Sequence, residues 1–296
     1  MPDRKRKEKP RVSIIGAGRL GTSLAVALAR HGYSIRSLVA RRLESARKAA
    51  TLARQTATVS DGEVAAFAAK QMRSLPPSDL FLITVPDDQI ATVTAELAKL
   101  KLDRKPTALH TSGALSAEVL GPLRAQGWNT GSVHPLISVS DPEAPIDGAY
   151  WCVEGDPRAS RLAKQIVRDL GGTSFSIPST EKPLYHAAAV MTSGNVTALF
   201  DVALEMLVEC GLTRKTARRI LQPLLASTVQ NLETKDPRDA LTGTFSRGDL
   251  ETVKRHIAAL QSHGLSEALE LYRLLGKRSL KVSKNHPQIT QLLDSV

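Results

Sequence analysis

The chain has 296 residues, of which 42% are hydrophobic and 4% aromatic, and its formal net charge is +11. This length favours two domains, and the aliphatic composition is typical of a soluble α/β protein. Few aromatic residues are present to stack on bases, so the charge indicates a basic surface that attracts anionic ligands rather than a nucleic-acid site. Two cysteines, Cys152 and Cys210, fit neither a disulfide framework nor zinc spacing, which favours a cytoplasmic location and no metal site.

Residues 1–11 are rich in lysine and arginine and are predicted to form a basic, disordered tail. The apolar run behind this tail has the general form of a secretion signal, but Arg19 interrupts it. No uninterrupted apolar stretch is expected to be long enough to span a bilayer. We therefore predict a protein without a membrane segment.

The first predicted element is a short apolar strand, Val12–Ile15, which runs through three glycines into an amphipathic helix from Thr22 to His31. This order of strand, glycine turn and helix is typical of a dinucleotide-binding site, in which the helix amides face the pyrophosphate. The first glycine makes the turn, the second admits the pyrophosphate, and the third packs the helix on the strand. An unrelated glycine-rich turn is the alternative. The candidate cofactor-binding residues here are Gly16, Gly18, Arg19, Leu20 and Gly21.

The second predicted strand, Ser34–Val39, favours NADP over NAD as the cofactor. NAD sites usually place an acidic residue about twenty residues past the glycines, on the ribose 2′-hydroxyl. Here the strand ends in Arg41-Arg42, and no acid occurs before Glu44. Two guanidinium groups suit a 2′-phosphate. The alternative is that the arginines are only solvated at a helix start, where Arg42 could already belong to the helix.

The following residues alternate between strands and helices, which predicts a mostly parallel sheet covered on both faces. Further strands are predicted at Leu80–Val85, Thr107–Thr111, Thr130–Val133, Tyr150–Val153 and Thr173–Ile177. Helices are predicted at Asp88–Leu97, Ser116–Ala125 and Arg158–Leu170.

After Pro178 the pattern is entirely helical. Helices are predicted at Thr180–Cys210, Arg214–Leu232, Asp249–Ser262 and Glu267–Val282. We therefore predict an α/β Rossmann-type domain with a mostly parallel sheet at 12–178, followed by an all-α C-terminal domain at 179–296.

Three further strings carry a family resemblance: Gly131-Ser132-Val133-His134-Pro135-Leu136, Tyr185-His186-Ala187-Ala188-Ala189, and Leu241-Thr242-Gly243 with Arg247-Gly248-Asp249. Together with the glycine turn they resemble bacterial Rossmann-like proteins that carry the domain of unknown function 2520 (DUF2520). More distantly, the layout is similar to the 6-phosphogluconate dehydrogenase-like superfamily, which includes ketopantoate reductase, pyrroline-5-carboxylate reductase and prephenate dehydrogenase. The resemblance implies a 6-phosphogluconate dehydrogenase-like helical domain, a site in the cleft between the domains, and a homodimer formed through the helical domain.

Candidate site residues lie where the predicted strands end, which is the ligand-binding edge of an α/β sheet. His134 resembles the His-Pro catalytic position of prephenate dehydrogenases and could orient a substrate or supply a proton, or else bond a loop carbonyl. Ser112 could bond the substrate or the nicotinamide amide, whereas His110 suits a core histidine. Val85 and Pro86, with Thr84, could shape the wall for the nicotinamide ribose. Asp87 suits the N-cap of the next helix.

The first predicted helix of the second half carries four more candidates. Tyr185 and His186 are candidate catalytic residues, and Ser193 lies near the same face. Relatives of the ketopantoate reductase type have a lysine and then an asparagine on this helix. Here the matching place holds Tyr185-His186, and Lys182, one turn earlier, is the second choice. Gly194 takes the usual asparagine position, which moves Asn195, a candidate substrate-binding residue, by about 100° around the helix. Packing against the sheet domain is the alternative for this polar stripe.

Arg247 is predicted in a loop, where its guanidinium could bind a substrate carboxylate or pair with Asp249. The leading hypothesis is an NADPH-dependent oxidoreductase that reduces a small keto acid, with ketopantoate as the first candidate and His134 or His186 as proton donor. The alternatives are a non-catalytic NADP-binding sensor or scaffold, and a deazaflavin-dependent oxidoreductase. The expected partners are a small anionic metabolite and a second copy of the chain, without nucleic acid or membrane.

Overall fold

The computed structural model describes residues 9–58, 63–102, 104–283 and 286–295. The chain divides into two compact units, the first ending at Met191 and the second beginning at Thr192. The domain boundary predicted at residue 178 lies thirteen residues before this division into compact units. The helix that follows Pro178 packs against the sheet and buries Lys182 there, so it belongs to the first unit.

In the first unit, the described strands form one sheet of eight with the order β3-β2-β1-β4-β5-β6-β7-β8. All neighbouring strands are parallel except β6 and β7, which are antiparallel. The predicted mostly parallel sheet is confirmed. The strands are β1 Val12–Ile15, β2 Ile35–Ala40, β3 Ala65–Ala68, β4 Leu80–Ile83, β5 Thr107–His110, β6 Asn129–Pro135, β7 Tyr150–Gly155 and β8 Thr173–Phe175.

Helices cover both faces of this sheet. Alternate residues of each strand point to opposite faces, and each face has its own apolar core beneath the helices. Ile14 packs in one core and its neighbour Ile15 in the other, as the two-residue period of a strand requires. The helices are α1 Arg19–Arg30, α2 Leu43–Thr56, α3 Asp87–Leu97, α4 Gly121–Ala125, α5 Pro157–Asp169 and α6 Lys182–Thr192. Short 3₁₀ helices are Ala69–Ser74, Ala117–Leu120 and Ser179–Glu181.

Strand β3 was missing from the prediction, whereas helix α2 was expected after Arg41-Arg42 without stated bounds. The strand has the sequence Ala-Ala-Phe-Ala, which has low intrinsic strand propensity, and it pairs only with β2 at the sheet edge. The predicted helix Ser116–Ala125 is instead a 3₁₀ turn followed by α4, with Ser116 capping the turn. Most other strands and helices of this unit lie within a few residues of their predicted bounds.

The described part of the predicted tail contacts the first unit. Arg11 forms a two-pronged ion pair with Asp79, at 3.0 and 3.1 Å, and Lys9 lies 3.3 Å from Asp169. The prediction of a disordered tail is therefore wrong for residues 9–11, since these contacts fix the chain before β1. Residues 1–8 of the predicted tail lie outside the described residues.

In the second unit the described elements are helical. They are α7 Gly194–Glu209, α8 Arg214–Thr234, α9 Pro237–Ala240, α10 Thr244–Arg247, α11 Leu250–Ser262, α12 Ser266–Val282 and α13 Pro287–Asp294. The single helix predicted from Thr180 to Cys210 is wrong, because a turn at Ser193, with φ −116° and ψ −75°, separates α6 from α7. Serine followed by glycine has low helix propensity, which explains a break at this place.

The segment Ser179–Glu209 corrects the prediction that no stretch could span a bilayer. It is long and apolar enough by length and composition alone, with a mean hydropathy of 1.4 in an 18-residue window. The break at Ser193 limits its longest continuous helix to the 16 residues of α7, against the roughly 20 that a span needs. Its first helical residue, Lys182, is buried against the sheet.

Candidate active site

The glycine turn after β1 has the shape that a bound pyrophosphate requires. Gly16 adopts φ +116°, and a Cβ there would lie 2.7 Å from the backbone carbon of Thr84. A Cβ at Gly21 would overlap the carbonyl oxygen of Gly16, whereas Gly18 faces open space. No side chain caps the start of α1 at Gly18. The turn therefore leaves an open helix N-terminus beside a glycine that a phosphate can approach.

A cleft of about 560 Å³ opens beside this turn and lies wholly within the first unit. Arg41 and Arg42 line one side of it, and both are exposed. Arg42 precedes α2 as its N-cap residue, so it lies outside the helix. The opposite wall contains Val85 and Pro86. Because β1 lies between β2 and β4, the glycine backbone stands between two exposed guanidinium groups and an apolar wall, which is the order that a dinucleotide would need. Arg19 and Leu20 begin α1 at its edge.

His110 is a satisfied core histidine. Its side chain is fully buried, Nε2 lies 3.1 Å from the Ser116 carbonyl oxygen, and Nδ1 accepts the Ser112 amide at 3.2 Å. Burial lowers the pKa of His110 to about 3, with the nearby Lys182 charge as the second cause. The residue is therefore neutral and structural, as the sequence favoured.

Ser112 uses its hydroxyl group within the protein. It donates to the Asp87 carboxylate at 2.8 Å and accepts the amides of Ala114 at 3.1 Å and Leu115 at 2.9 Å. Asp87 is the first residue of α3 rather than its N-cap, which is Pro86, so the predicted capping role is wrong. The Asp87–Ser112 hydrogen bond instead ties the loop after β4 to the loop after β5. This geometry favours a positioning role for Ser112 over the predicted direct contact with a ligand.

His134 and helix α6 form a cluster of polar side chains at the end of β6. Nδ1 of His134 lies 2.7 Å from the Tyr185 hydroxyl, and the His134 ring meets the His186 ring edge to face at a centroid distance of 5.6 Å. The two imidazoles converge on Gly113, where a Cβ would lie 2.9 Å from Nε2 of His134 and closer still to Nδ1 of His186. Nδ1 of His186 is buried and has no hydrogen-bond partner among the described residues.

Burial sets the protonation of this cluster. Desolvation, followed by the charges of His186 and Lys182, lowers the pKa of His134 to about 4, so the ring is neutral near pH 7. Desolvation raises the pKa of Tyr185, which keeps its hydroxyl protonated. A neutral imidazole bonded to a protonated phenol can pass one proton outward while the imidazole itself stays neutral, and the negative charge then lies on the phenol oxygen until it is reprotonated.

Lys182 lies beneath the cluster and is fully buried. Its Nζ donates to the Ser132 hydroxyl at 2.6 Å and to the Ser112 carbonyl oxygen at 3.1 Å. Both contacts turn the amine into the protein, which disfavours Lys182 as the direct proton donor that was the second choice from the sequence. Ser132, Gly113 and the buried environment of Lys182 were missed, because their importance depends on contacts between distant segments.

Three predicted site residues lie in the second unit. Ser193 is the exposed residue at the break between α6 and α7, so it does not continue the α6 stripe as predicted. Asn195 is exposed in the first turn of α7. Arg247 ends the short helix α10 rather than lying in a loop, and its side chain is exposed. Asp249 caps α11 through Thr252, at 3.1 Å from its amide, so it has a structural function of its own.

The fold agrees with comparisons to known proteins. Residues 2–135 match the Rossmann-like domain, and residues 149–279 match the domain of unknown function 2520. The chain combines a Rossmann-like domain with a DUF2520 domain. The family resemblance predicted from the sequence strings is therefore confirmed. The DUF2520 match begins next to β7 of the sheet and ends within α12, so it spans parts of both compact units.

Several solved structures share the fold, whereas no curated protein matches the chain. BF3122 from Bacteroides fragilis, named as an NADP oxidoreductase, is 23% identical with a TM-score of 0.75 over 93% of this chain and 99% of that one. A reductive aminase from Aspergillus terreus, solved with NADPH and ethyl levulinate, is 16% identical with a TM-score of 0.65 over 97% and 99%. A pyrroline-5-carboxylate reductase from Coxiella burnetii is 18% identical with a TM-score of 0.57 over 94% and 100%.

Proposed function

We propose that this protein is an NADPH-dependent oxidoreductase that reduces a small carbonyl or imine substrate. One observation carries the proposal: the glycine turn after β1, the wall after β4 and the His134 cluster at the end of β6 share one edge of the sheet. Parallel strands bind their ligands at this edge. The NADP oxidoreductase, reductive aminase and pyrroline-5-carboxylate reductase that share the fold support the same class of reaction.

The residues of the cleft fit NADPH. The backbone of Gly16 to Gly18 and the start of α1 would hold the pyrophosphate, and Arg41 with Arg42 would hold the 2′-phosphate. Val85 and Pro86 would contact the nicotinamide ribose. When bound, NADPH supplies the hydride. The protein then has to orient the acceptor carbon, exclude water and deliver a proton.

His134 and Tyr185 would deliver that proton. In the proposed site the Tyr185 hydroxyl donates to Nδ1 of His134, which places the ring proton on Nε2, the atom that faces Gly113. As the substrate oxygen or nitrogen gains electron density, it takes the Nε2 proton while Nδ1 takes the Tyr185 proton. The imidazole stays neutral, and the phenolate recovers a proton from water. The unpartnered Nδ1 of His186 would orient the same substrate group.

The substrate is proposed to be a small anion. A small keto acid, with ketopantoate first, follows from the family resemblance, and Arg247 and Asn195 remain the candidate residues for its carboxylate. The names of the reductive aminase and the pyrroline-5-carboxylate reductase add imines to the substrates that we propose to test. The fold also suits an enzyme of the cytoplasm, which we propose as its location.

A homodimer formed through the second unit completes the proposal. Helices α7, α8 and α12 carry large apolar side chains that remain exposed in the single chain, including Ile220 at 52% and Leu224 at 63%. Exposed large apolar side chains on several helices of one unit are typical of an interface between subunits. The exposed residues are Val196, Leu199, Val208, Ile220, Leu224, Val229, Leu232, Leu274 and Leu275.

The test is hydride transfer from labelled cofactor. Purified protein is incubated with NADPH deuterated at the transferable position and with ketopantoate, related keto acids, pyrroline-5-carboxylate, or a ketone plus an amine. We expect deuterium on the new C–H bond of at least one product. Tight NADPH binding without transfer to any compound would contradict the proposal and favour a sensor or scaffold. Titration with NADPH and a deazaflavin in parallel separates the two cofactors.

A further inference from the structure

Lys182 combines full burial with an amine that forms no ion pair with a carboxylate of the described residues. Among the described residues, its Nζ contacts are the Ser132 hydroxyl and the Ser112 carbonyl oxygen, both neutral groups. Burial lowers the pKa of Lys182, and the negative charges of Glu154, Cys152 and Asp87 partly offset this lowering. Placing an unpaired ammonium group in a protein interior costs several kcal/mol. A fold that keeps one at the end of two central strands indicates a function for the charge.

The sequence spacing places Lys182 in register with the His134 cluster. On α6, Lys182, Tyr185 and His186 are separated by three and four residues, so they share one face of the helix. On β6, Ser132 and His134 are two residues apart and point to the same face of the sheet. The helix therefore docks on the strand by paired contacts, Lys182 on Ser132 and Tyr185 on His134, at 2.6 and 2.7 Å.

The contacts of Lys182 also fix Gly113. The carbonyl group that accepts from Nζ belongs to Ser112 and forms the peptide bond with Gly113. The Ser132 hydroxyl lies 3.4 Å from the same carbonyl oxygen, which closes a triangle of three polar atoms. Gly113 is the residue on which both imidazoles converge. The ammonium group of Lys182 therefore orients the backbone at Gly113, which is the backbone that both imidazoles face.

We propose that Lys182 is a positioning residue whose buried ammonium group locks the ends of β5 and β6 and keeps His134 a neutral hydrogen-bond donor toward the substrate. The inference rests on the proposed reductase function, which gives the neutral donor its purpose. A positive charge opposes a second positive charge nearby, so protonation of His134 is disfavoured while Lys182 is charged. The titratable or charged groups around His134 are Tyr185, His186 and Lys182 on α6, Cys152 on the paired strand β7, and His110 on β5.

Lys182→Met tests the charge, because methionine keeps an unbranched chain of similar length without the ammonium group. Nitrogen-15 NMR follows the ring nitrogens of His134 in a titration from about pH 3 to about pH 8, in steps of about half a pH unit. The His134→Gln variant assigns the signals. In the wild type we expect neutral His134 with its proton on Nε2. In Lys182→Met we expect the titration midpoint to rise by about one unit. An unchanged midpoint would overturn the proposal.

Ser132→Ala is the matched control. It removes one hydrogen bond from Nζ but keeps the charge, so we expect the His134 midpoint to stay near the wild-type value. Equal shifts in both variants would indicate a purely structural role and would contradict the inference. If Lys182→Met does not fold, the NMR shift of Nζ in the wild type decides, since a neutral amine at pH 7 excludes the proposed charge.

Kinetic measurements separate this inference from the proposed function. If the wild type turns over a substrate, the acid limb of its kcat/KM profile should move upward in Lys182→Met and stay in place in Ser132→Ala. A shifted NMR midpoint in a protein without any hydride transfer would contradict the reductase proposal and leave the Lys182–His134 coupling standing. Turnover of a substrate, with neither the NMR midpoint nor the acid limb shifted in Lys182→Met, would support the reductase proposal and contradict the Lys182–His134 coupling.

Discussion

The hydroxyl oxygen of Tyr185 lies 2.7 Å from Nδ1 of His134, which joins the first helix after the sheet to the end of strand β6. The bond spans 51 residues of sequence, and both partners are partly buried. It fixes the orientation of the imidazole and assigns the two ring nitrogens different functions. Nδ1 faces the phenol, and Nε2 faces Gly113.

The first prediction removes this hydrogen bond. Tyr185→Phe keeps the aromatic contacts with Phe175 and His134 but loses the hydroxyl proton. We expect kcat/KM for the reduced substrate to fall about 100-fold, a typical value for loss of a positioned proton donor, with little change in NADPH affinity. Steady-state kinetics and fluorescence titration of NADPH measure the two quantities. Tyr150→Phe, at a tyrosine that is 59% exposed, is the control and should behave as wild type.

The second prediction concerns cofactor choice. Arg41→Asp places a carboxylate where the 2′-phosphate is proposed to bind, so NADPH should lose affinity by about tenfold or more, whereas NADH should change little. Dissociation constants for both cofactors from calorimetry provide the comparison. Arg47→Asp, an exposed substitution on α2 outside the cleft, should leave both constants unchanged. Equal losses for NADPH and NADH in Arg41→Asp would refute the assignment of the 2′-phosphate site.

The third prediction follows from the buried state of His134. The pKa of His134 falls from 6.5 in the unfolded chain to about 4 in the folded protein. Between these values the unfolded state binds more protons, so the contribution of His134 to stability is complete above about pH 6.5 and is lost as the pH falls toward 4. The loss amounts to about 3 kcal/mol at most, since each pKa unit corresponds to about 1.4 kcal/mol.

Urea unfolding at a series of pH values measures this loss. The free energy of unfolding should fall less steeply with decreasing pH in His134→Gln than in the wild type. His110, whose pKa is also lowered, is present in both proteins, and the charge of His134 is the smallest cause of that lowering, so most of the difference between the curves comes from His134 itself. His263→Gln, at an exposed position, should keep the wild-type slope. Parallel curves for His134→Gln and wild type would show that His134 is not buried in its neutral form.

The fourth prediction tests the proposed dimer. The double variant Ile220→Asp, Leu224→Asp places two carboxylates on adjacent turns of α8, on the apolar surface of the second unit. Light scattering coupled to gel filtration should show a dimer for the wild type and a monomer for the variant, because buried unpaired carboxylates oppose association. Leu136→Asp, at a leucine that is 42% exposed in the first unit, is the control. A wild-type monomer at micromolar concentration would remove the dimer from the proposal.

Most of the order of elements in the first unit was predictable, because strands such as β1, β2 and β4 are short apolar runs followed by a turn and a helix. The glycine turn and Arg41-Arg42 were predictable for the same local reason. Strand β3 was not, since its alanines form a strand only through pairing with β2. The prediction of one long helix failed at Ser193, because the Ser193-Gly194 pair interrupts a segment whose apolar residues otherwise recur with helical spacing.

The sequence predicted which residues belong to the site, but it did not predict which of them contact each other. His134, Tyr185 and His186 stood out as polar residues at strand ends and on one helix face, and the structure brings these three together. The function of Ser112 changed, because its hydroxyl bonds Asp87 across a separation of 25 residues that no local pattern records. Lys182 gained importance only from its burial against β5 and β6.

The last prediction concerns Gly113, the residue beside both imidazoles. Gly113→Ala adds a methyl group that would lie 2.9 Å from Nε2 of His134 and would overlap the His186 ring. Since an alanine fits the backbone angles here, the cost is steric, and we expect displaced rings and a drop in kcat/KM of about tenfold or more. NADPH affinity should change less than twofold, roughly the spread expected for a site outside the cleft.

Gly121→Ala is the matched control for this substitution. A Cβ at Gly121 meets nothing within 4 Å, and the residue opens helix α4 in a helical conformation, so alanine should be neutral or slightly stabilising. The crystal structure of Gly113→Ala should show the His186 ring rotated away from residue 113. Full activity in Gly113→Ala with unmoved rings would mean that the close approach of the two imidazoles to this backbone has no part in the reaction.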